Sequence, residues 1–227
     1  MKKISCIIPV YNEGPRIRTV LEAVSNHKLL SEIIVVDDGS KDNTSDIVKE
    51  YPNIKLIIHE NNKGKSAAIN TGFRAATSEY VFFLDADLVG LNAKNVTDLV
   101  QPIIDSKADV SISLRQNAPG AWRAIGLDYI SGERVFRKEI LEDVMDEVLK
   151  LPRFGLEVFI NNQIIINNYR IAVINWDNVV SPYKVRKVGW IRGIIGDFFM
   201  ILDIFKTIGV FGPFIQITKM RKLMVKV

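Results

Sequence analysis

Short apolar runs alternate with amphipathic stretches along the first part of the chain. The run Ile4–Val10 predicts a buried strand, and the apolar positions that follow at helical spacing predict a helix with one buried face. The same pattern predicts strands over 32–36, 54–58 and 80–84, and helices over 43–51, ending before Pro52, and over 66–77. Repeated strand-helix-strand units indicate an α/β fold with a mostly parallel sheet flanked by helices. Since such sheets bind ligands beyond the carboxyl ends of their strands, the loops after the strands are the candidate site.

Two acidic residues end the second predicted strand, in the stretch Val35-Val36-Asp37-Asp38-Gly39-Ser40. The glycine permits a tight turn, and Asp42 beyond it is a good helix cap, so we interpret Asp42 as a turn or capping residue. Asp37 and Asp38 lie at the predicted ligand edge, where a carboxylate can accept hydrogen bonds from a nucleobase or from ribose hydroxyls.

A second acidic pair, Asp85 and Asp87, follows the fourth predicted strand. Residues two apart on an extended chain point to the same side, so both carboxylates can face one ligand. Two close carboxylates repel one another unless a cation relieves them, and Mg²⁺ or Mn²⁺ bridging a diphosphate group is such a cation. Taken alone, an Asp-x-Asp pair is more often a solvated turn.

The stretch Gly64-Lys65-Ser66 has the last three residues of a phosphate-binding P-loop, and Asp85 after an apolar strand resembles a Walker B aspartate. The P-loop also needs a glycine five positions before Gly64, and His59 stands there instead. An NTPase is therefore disfavoured. A plain loop with solvated lysines remains the other alternative.

Four segments together resemble the ordered motifs of the family 2 glycosyltransferases. They are Ile8-Pro9-Val10-Tyr11-Asn12-Glu13, Val35-Val36-Asp37-Asp38-Gly39-Ser40, Asn62-Lys63-Gly64-Lys65 and Asp85-Ala86-Asp87. The resemblance implies the GT-A fold, a Rossmann-like, mostly parallel sheet flanked by helices. It also implies an enzyme that uses a nucleotide diphosphate sugar, such as a UDP- or GDP-sugar, with Mg²⁺ or Mn²⁺.

The same resemblance implies roles for individual residues. Asp38 would accept from the base beside Asp37, and Asp85 would approach the ribose or sugar and share the metal with Asp87. Asp87 would bind the metal on the diphosphate and so act as a catalytic residue. The remaining donor-binding residues would be Pro9, Tyr11 and Glu13, with Glu13 toward the ribose, and the loop residues Lys63 and Gly64.

The acceptor half is less explicit. The stretch Ser131-Gly132-Glu133-Arg134-Val135-Phe136-Arg137 resembles a segment of the polyprenyl-phosphate sugar synthases and of the glucosyl-phosphoglycerate enzymes. An arginine fork meets phosphate oxygens bidentately, so Arg115, Arg134 and Arg137 are the candidate acceptor or phosphate ligands. The alternative for Arg137 is the start of a solvated helix.

Glu157 lies in Phe154-Gly155-Leu156-Glu157-Val158, which resembles a late Gly-x-Glu motif of the family. It is the candidate catalytic base or acceptor ligand, and a carboxylate placed by the helix dipole is the alternative. Some relatives have a metal-binding histidine near Val180-Ser181-Pro182, and this sequence has none there. The third metal ligand is therefore unassigned.

The chain has 227 residues, 48% hydrophobic and 25% charged, which fits a globular α/β protein with a real core. Its single cysteine, Cys6, and the lack of a recognisable leader lead us to expect a cytoplasmic protein. A net charge of +4 gives no ground for a nucleic-acid partner.

Basic and apolar residues are concentrated in the tail after residue 184, with only Asp197 and Asp203 as acids. The helical pattern over 190–211 predicts an amphipathic helix that is too charged to span a membrane and fits an interfacial helix. The alternative is a helix packed on the core or across a homodimer. Gly212-Pro213 is expected to break this helix before a final basic segment that contacts anionic lipid.

We therefore expect a catalytic domain over 1–187 and a tail over 188–227, with a donor half (1–90) and an acceptor half (91–187). The expected activity is inverting sugar transfer from a nucleotide diphosphate donor to a lipid-linked acceptor such as polyprenyl phosphate, at the cytoplasmic membrane face. A soluble transferase acting on a small phosphorylated acceptor and a non-catalytic nucleotide-sugar binder remain alternatives.

Overall fold

The fold is seen in a computed structural model that describes residues 2–151, 155–182 and 205–227. Its strands are β1 (Ile4–Val10), β2 (Glu32–Asp37), β3 (Lys55–Ile58), β4 (Tyr80–Phe83), β5 (Val110–Arg115), β6 (Arg134–Arg137) and β7 (Ile171–Trp176). Across the described part of the chain they form one sheet in the order β3-β2-β1-β4-β6-β5-β7. All neighbours pair in parallel except β6, which is antiparallel to both β4 and β5.

Helices cover both faces of this sheet. They are α1 (Gly14–Val24), α2 (Thr44–Lys49), α3 (Lys65–Ala75), α4 (Ala93–Ile104), α5 (Gly120–Ile125), α6 (Glu139–Glu142), α7 (Met145–Val148), α8 (Gly155–Ile166) and α9 (Gly212–Leu223). One apolar core joins the sheet to α1, α2 and α4, and the other joins it to α3 and α6 to α9. Alternate residues of β1 and β2 enter opposite cores, since neighbouring side chains on a strand point to opposite faces.

The predicted α/β fold is confirmed, and its first four strands form the parallel side of the sheet. The observed ends of these strands and helices differ from the predicted ends by one to two residues. Helix α3 begins at Lys65 and ends at Ala75, and α2 ends at Lys49, before Tyr51 and Pro52. Strand β4 ends at Phe83, although the Leu84 N–H still donates to the Ile7 carbonyl at 3.0 Å.

Strand β6 reverses direction beside β4, and this reversal decides which end of β6 reaches the site. Phe83 at the carboxyl end of β4 pairs with Arg134, whereas Tyr80 at its amino end pairs with Arg137. The start of β6 therefore lies at the ligand edge of the sheet. Its end lies at the opposite edge.

Helix α9 packs on the core through Met220, which is fully buried, and the Val225 N–H beyond it donates to the Ile171 carbonyl at 2.9 Å. The break expected at Gly212-Pro213 is found three residues earlier, at Gly209 with φ +77°, and Pro213 lies in the first turn of α9, a position that suits proline. Most of the amphipathic helix predicted over 190–211 lies outside the described residues, because residues 183–204 are not described. In the parts that are described, no helix has the length and apolar character needed to cross a bilayer.

Candidate active site

The loops after β1 and β2 interlock at the carboxyl edge of the sheet. The Asn12 N–H donates to Ser40 Oγ at 2.9 Å, and the Lys41 N–H returns a hydrogen bond to Asn12 Oδ1 at 2.7 Å. Asn12 has φ +53°, a left-handed conformation that asparagine tolerates. The two loops therefore form one rim of the candidate donor pocket.

The predicted pocket residues of the first loop lie on this rim. Tyr11 is exposed, and Pro9, near the end of β1, is half-buried. The Glu13 carboxylate accepts a hydrogen bond from Arg16 Nε at 2.6 Å. The backbone N–H of Glu13 donates to Thr44 Oγ1 at 3.0 Å. Arg16, which the sequence analysis did not single out, thus orients Glu13.

Asp42 has the predicted turn role and also joins the two loops. Its Oδ1 accepts from the Thr44 N–H at 3.1 Å, and its Oδ2 accepts from the Gly14 N–H at 3.0 Å. The pKa of Asp42 is lower than usual, because these hydrogen bonds outweigh the effect of its burial. The carboxylate therefore stays ionised and holds the start of α1.

Asp37 and Asp38 are both buried at the end of β2, and both are engaged by their own loops. Asp37 accepts from the Ser40 N–H at 2.8 Å and from the Ser45 hydroxyl. Asp38 Oδ2 accepts from the Gly64 N–H at 2.7 Å, and both of its oxygens accept from the Lys63 N–H at 3.0 Å. Asp38 therefore fixes the loop that the sequence analysis assigned to base and ribose.

His59 completes this arrangement and was missed as a site residue. Its Nδ1 lies 2.7 Å from Asp38 Oδ1, and its Nε2 lies 2.9 Å from Thr71 Oγ1 on α3. The ring is buried, so both of its nitrogens are satisfied inside the protein. The only sequence signal was a histidine where a P-loop would need glycine.

Lys65 joins the donor half to the acceptor half. Its Nζ lies 2.9 Å from Asp85 Oδ1 and 3.0 Å from Glu157 Oε1, although the two carboxylates come from the loop after β4 and from α8. Glu157 is in the first turn of α8 and is buried, and the Lys65 side chain is 37% exposed. The structure thus brings together two predicted site residues through a lysine that had no assigned role.

The charges in this cluster reinforce one another. Burial alone would lower the pKa of Lys65, but the carboxylates of Asp85 and Glu157 raise it well above its ordinary value. Burial alone would likewise raise the pKa of Asp85, and the Lys65 ammonium outweighs it and lowers that pKa. Lys65 and Asp85 are therefore both charged at neutral pH, and the Lys65 ammonium bridges the carboxylates of Asp85 and Glu157.

Behind Asp85 lies a buried polar group centred on Glu133. Ser113 and Ser131 donate to Glu133 Oε2 at 2.7 and 2.8 Å, and Arg115 Nη1 lies 3.5 Å from its Oε1. Burial, together with the Asp85 charge, raises the pKa of Glu133 despite the nearby Arg115. Glu133, a motif residue with no predicted role, therefore interacts with the Asp85 carboxylate from the buried side.

Arg115 is the one predicted phosphate ligand that the structure places beside the cluster. Its Nη2 lies 3.0 Å from Asp128 Oδ2, and the charges of Glu133, Asp128 and Asp85 raise its pKa even though burial opposes this. Its side chain keeps 12% of its surface exposed. The small exposed part of the Arg115 guanidinium could contact a ligand, and the Asp128 ion pair holds the rest of the group in place.

Arg134 is corrected from a phosphate ligand to a buried structural residue. It is 1% exposed, and its guanidinium donates to the Ser131 carbonyl at 2.7 Å, to Asn161 Oδ1 at 2.5 Å and to the Tyr129 carbonyl at 3.1 Å. It also donates to the Glu157 carbonyl at 3.3 Å. These four bonds engage all three guanidinium nitrogens, so Arg134 holds the start of α8 in place.

Arg137 is also removed from the phosphate-binding set. It lies at the amino edge of the sheet, paired with Tyr80, and its Nη1 contacts Glu139 at 2.9 Å. Its other partner is Glu79 on the same edge. The antiparallel direction of β6 explains the error, because a parallel strand would have carried this position toward the ligand edge.

Asp87 is half-buried in the loop after β4. This loop pairs with the segment around Val180, where some relatives have a metal-binding histidine. The Val89 N–H donates to the Val180 carbonyl at 2.9 Å, and the Val180 N–H donates to the Val89 carbonyl at 3.0 Å. Among residues 2–151, 155–182 and 205–227, no three histidine, cysteine or acidic side chains converge as a metal site. The loop that carries Asp87 therefore lies beside Val180.

Several characterised and uncharacterised proteins are similar in sequence. The chain is 32% identical over 195 residues to the UDP-N-acetylglucosamine–dolichyl-phosphate N-acetylglucosaminyltransferase of Methanococcus voltae, covering 67% of this chain and 76% of that protein. It is 28% identical over 172 residues to the poly(ribitol-phosphate) β-N-acetylglucosaminyltransferase TarP of Staphylococcus aureus, covering 72% and 52%. A match to YibD of Escherichia coli, 43% identical over 90 residues, covers 37% and 26%. The chain thus spans about half or less of the length of the last two relatives.

Solved structures and a family model complete the comparison. Glucosyl-3-phosphoglycerate synthase of Mycobacterium tuberculosis, in complex with phosphoglyceric acid, superposes with a TM-score of 0.71 at 20% identity, over 92% of this chain and 81% of that one. This likeness confirms the GT-A fold. Crystals of the same synthase contain Mn²⁺, UDP and glucosyl-3-phosphoglycerate. The model described as glycosyl transferase family 2 matches residues 5–150, and the chain therefore belongs to the family 2 glycosyltransferases.

Proposed function

We propose that this chain transfers a sugar, with inversion, from a nucleotide diphosphate sugar to a lipid-phosphate acceptor at the cytoplasmic face of a membrane. The observation that carries the proposal is the Lys65 bridge between Asp85 and Glu157. It places a donor-half carboxylate and an acceptor-half carboxylate on either side of a single ammonium group. A transferase needs that juxtaposition, because donor and acceptor must meet at one carbon.

The donor would lie along the rim built by the loops after β1 and β2. Asp38, held by His59 and by the Lys63 and Gly64 N–H groups, fixes the floor of the base subsite. Tyr11 would cover the base, and Glu13 would accept from the ribose. Binding energy in this subsite positions the sugar carbon for attack.

A divalent cation fits the donor set at the end of β4. Asp87 offers a hard carboxylate oxygen beside the expected diphosphate, whereas Asp85 is already paired with Lys65. A bound Mg²⁺ or Mn²⁺ would neutralise charge on the departing nucleoside diphosphate. We assign Asp87 as the principal protein ligand and Asp85 as the partner that orients Lys65 beneath the sugar.

At the acceptor end, the chemistry depends on the nucleophile. A hydroxyl must lose a proton as it attacks, and Glu157 is the carboxylate placed to take it. A phosphate oxygen is already ionised and needs no base, and the Lys65 ammonium and Arg115 would attract it. We favour the phosphate, because the relative that matches 67% of this chain is named for transfer to dolichyl phosphate.

Two relatives support the two acceptor classes. The Methanococcus voltae protein is named for transfer to dolichyl phosphate, a lipid phosphate, and 67% of this chain is covered by that match. The Mycobacterium tuberculosis synthase was crystallised with phosphoglyceric acid, a small phosphorylated acid. A soluble transferase acting on a small phosphorylated acceptor is therefore the second candidate. A non-catalytic nucleotide-sugar binder is the third.

The first experiment separates an enzyme from a binder. UDP-, GDP- and dTDP-sugars are offered with Mn²⁺, with and without a polyprenyl phosphate, and release of nucleoside diphosphate is measured. We expect Asp87→Ala to lower the rate by about 100-fold or more with an unchanged melting temperature, as for other lost charge-stabilising groups. Asp98→Ala, a half-exposed aspartate on α4 paired with Lys94, is the control and should keep full activity.

The second experiment distinguishes the two nucleophiles. If the acceptor oxygen is a phosphate, Glu157→Gln should retain most of the transfer rate and the shape of the wild-type pH profile. If the acceptor is a hydroxyl, the same variant should lose about 100-fold or more of the rate, the range typical of a missing general base. The second outcome would reject the phosphate acceptor and leave the donor assignment intact.

A further inference from the structure

Four large apolar side chains stand exposed around the start of α9. Val210, Phe211, Phe214 and Ile215 are 66%, 77%, 75% and 48% exposed, and we call them the apolar tip. Isolated exposed apolar residues are ordinary on protein surfaces. Four within six positions, two of them phenylalanines, form a contiguous patch of the kind that marks an interaction surface.

The apolar tip lies next to the acceptor end of the cleft. Gln216, which directly follows the tip, accepts from the Tyr129 hydroxyl at 2.8 Å and donates to the Val158 carbonyl at 3.1 Å. Val158 is the neighbour of Glu157 in the first turn of α8. The start of α9 is thus fixed to the same short segment that carries the acceptor-side carboxylate.

The direction of α9 keeps its other end away from the cleft. Beyond its last turn, Met224 forms a bridge with Ile171, the first residue of β7. Since β7 is parallel to β5, Ile171 is at the amino edge of the sheet, opposite the site. Helix α9 therefore runs away from the ligand edge, and its apolar tip is the part that adjoins the acceptor.

The charge around the tip has one sign. Residues 205–227 contain no aspartate or glutamate, and their basic residues are Lys206, Lys219, Arg221, Lys222 and Lys226. An apolar tip on a segment whose charged residues are all basic complements a surface with an apolar interior and an anionic outer layer. A bilayer containing anionic lipid has both properties.

We infer that the apolar tip inserts into the headgroup layer of an anionic bilayer, so that the acceptor end of the cleft faces the membrane surface. The inference rests on the proposed lipid-phosphate acceptor and adds the orientation in which such an acceptor is reached. A lipid phosphate at the bilayer surface would meet Lys65 and Arg115 without leaving its leaflet. The nucleotide rim, formed by the loops after β1 and β2, would remain open to water.

The test is flotation of the full chain with vesicles of phosphatidylglycerol and phosphatidylcholine, compared with phosphatidylcholine alone. The wild type should float with the anionic vesicles and should be released as salt rises, because salt screens the lysines and arginine. The double variant Phe211→Ser/Phe214→Ser should bind about tenfold or more weakly, since two large apolar groups no longer enter the bilayer.

The matched control is Ile166→Ser. Ile166 is 62% exposed at the far end of α8, near the amino edge, and its loss should leave vesicle binding unchanged. Equal weakening by both substitutions would overturn the inference, as would binding to the neutral vesicles alone. A wild-type dimer in solution that the double variant converts to a monomer would instead assign the tip to a second copy of the chain.

A separate assay distinguishes failure of this inference from failure of the proposed function. Release of nucleoside diphosphate with Mn²⁺ and without vesicles should be the same in the wild type and in the double variant, because the tip does not contact the donor rim. If the wild type floats but processes no donor, the proposed activity fails and the docking surface stands. If donor processing falls with the double variant, the tip is part of the folded site and the inference is wrong.

Discussion

The donor half and the acceptor half place their functional groups by different means. In the donor half, residues up to 90, the acidic pair after β2 is held by its own loop and by the next one: Asp37 by Ser40, and Asp38 by Lys63 and Gly64. In the acceptor half, the decisive contacts join distant segments: Lys65 and Glu157 are 92 positions apart. The donor subsite is thus a local property of parallel strand ends, whereas the acceptor subsite exists only once the whole sheet has assembled.

The comparison explains why one half can be anticipated by motif and the other cannot. A parallel strand delivers the residue after it to the ligand edge, whatever the rest of the chain does. The antiparallel β6 delivers its start to that edge and its end to the other, so two arginines in one motif, Arg134 and Arg137, reach different environments. Four substitutions test this difference between the two halves.

The largest effect is expected from Arg134→Met. Its loss would leave Asn161 Oδ1 and the Ser131 carbonyl buried without a donor, and the Tyr129 carbonyl with the Asn161 amide alone. Unsatisfied buried polar groups cost about 1–3 kcal/mol each, so we expect the free energy of unfolding to fall by roughly 3 kcal/mol or more. Urea denaturation measures it. Arg137→Ala is the control from the same motif and should cost no more than about 0.5 kcal/mol.

The next effect belongs to the donor half. His59→Ala removes a partner from both Asp38 and Thr71, and should lower the free energy of unfolding by about 1–3 kcal/mol and weaken donor binding. Calorimetric titration of the donor sugar with Mn²⁺ measures the affinity. The other histidine of the chain, His27, contacts Ala93 and Thr97 away from the site, and His27→Ala should leave the affinity unchanged. Equal loss in both variants would deny His59 its positioning role.

A smaller effect is expected at the boundary between the halves. A Cβ atom on Gly132 would lie 2.6 Å from Asp85 Oδ2, so Gly132→Ala must displace that carboxylate from Lys65. We expect about a tenfold lower transfer rate, or about 1.4 kcal/mol, with little change in melting temperature. Gly120→Ala, where the added atom meets nothing within 4 Å, is the control. An unchanged rate in Gly132→Ala would show that Asp85 can shift without consequence.

The smallest effect concerns the far edge of the acceptor half. Arg170 donates to Asp109 through Nε at 3.0 Å and Nη2 at 2.9 Å, and these bonds lower the pKa of Asp109 although partial burial opposes them. A lowered folded pKa gives stability that is present above the unfolded pKa and is lost as pH falls through the folded value. Asp109→Asn should therefore lower the melting temperature slightly at pH 7, and the difference should disappear in acid. A constant difference across the titration would contradict it.

The sequence predicted the strands β1 to β4 closely because each is a buried apolar run ended by turn residues. It also predicted that acidic residues would gather at one edge, which needs only parallel strands. It could not predict that Arg134 would be buried, because its partners Tyr129 and Asn161 come from a loop and from α8. Nor could it identify Lys65, whose two partners lie in different halves of the molecule.

The end of the chain illustrates a practical consequence of such packing. Met220 is fully buried, and Gln216 hydrogen-bonds to both Tyr129 and Val158. Truncation before α9 would remove a layer from the second core and take the Gln216 partner away from the Tyr129 hydroxyl and the Val158 carbonyl. A shortened protein that fails to bind vesicles would therefore report damage to the enzyme's scaffold as much as loss of a contact. Point substitutions on the exposed side of α9 test the membrane contact without removing this packing.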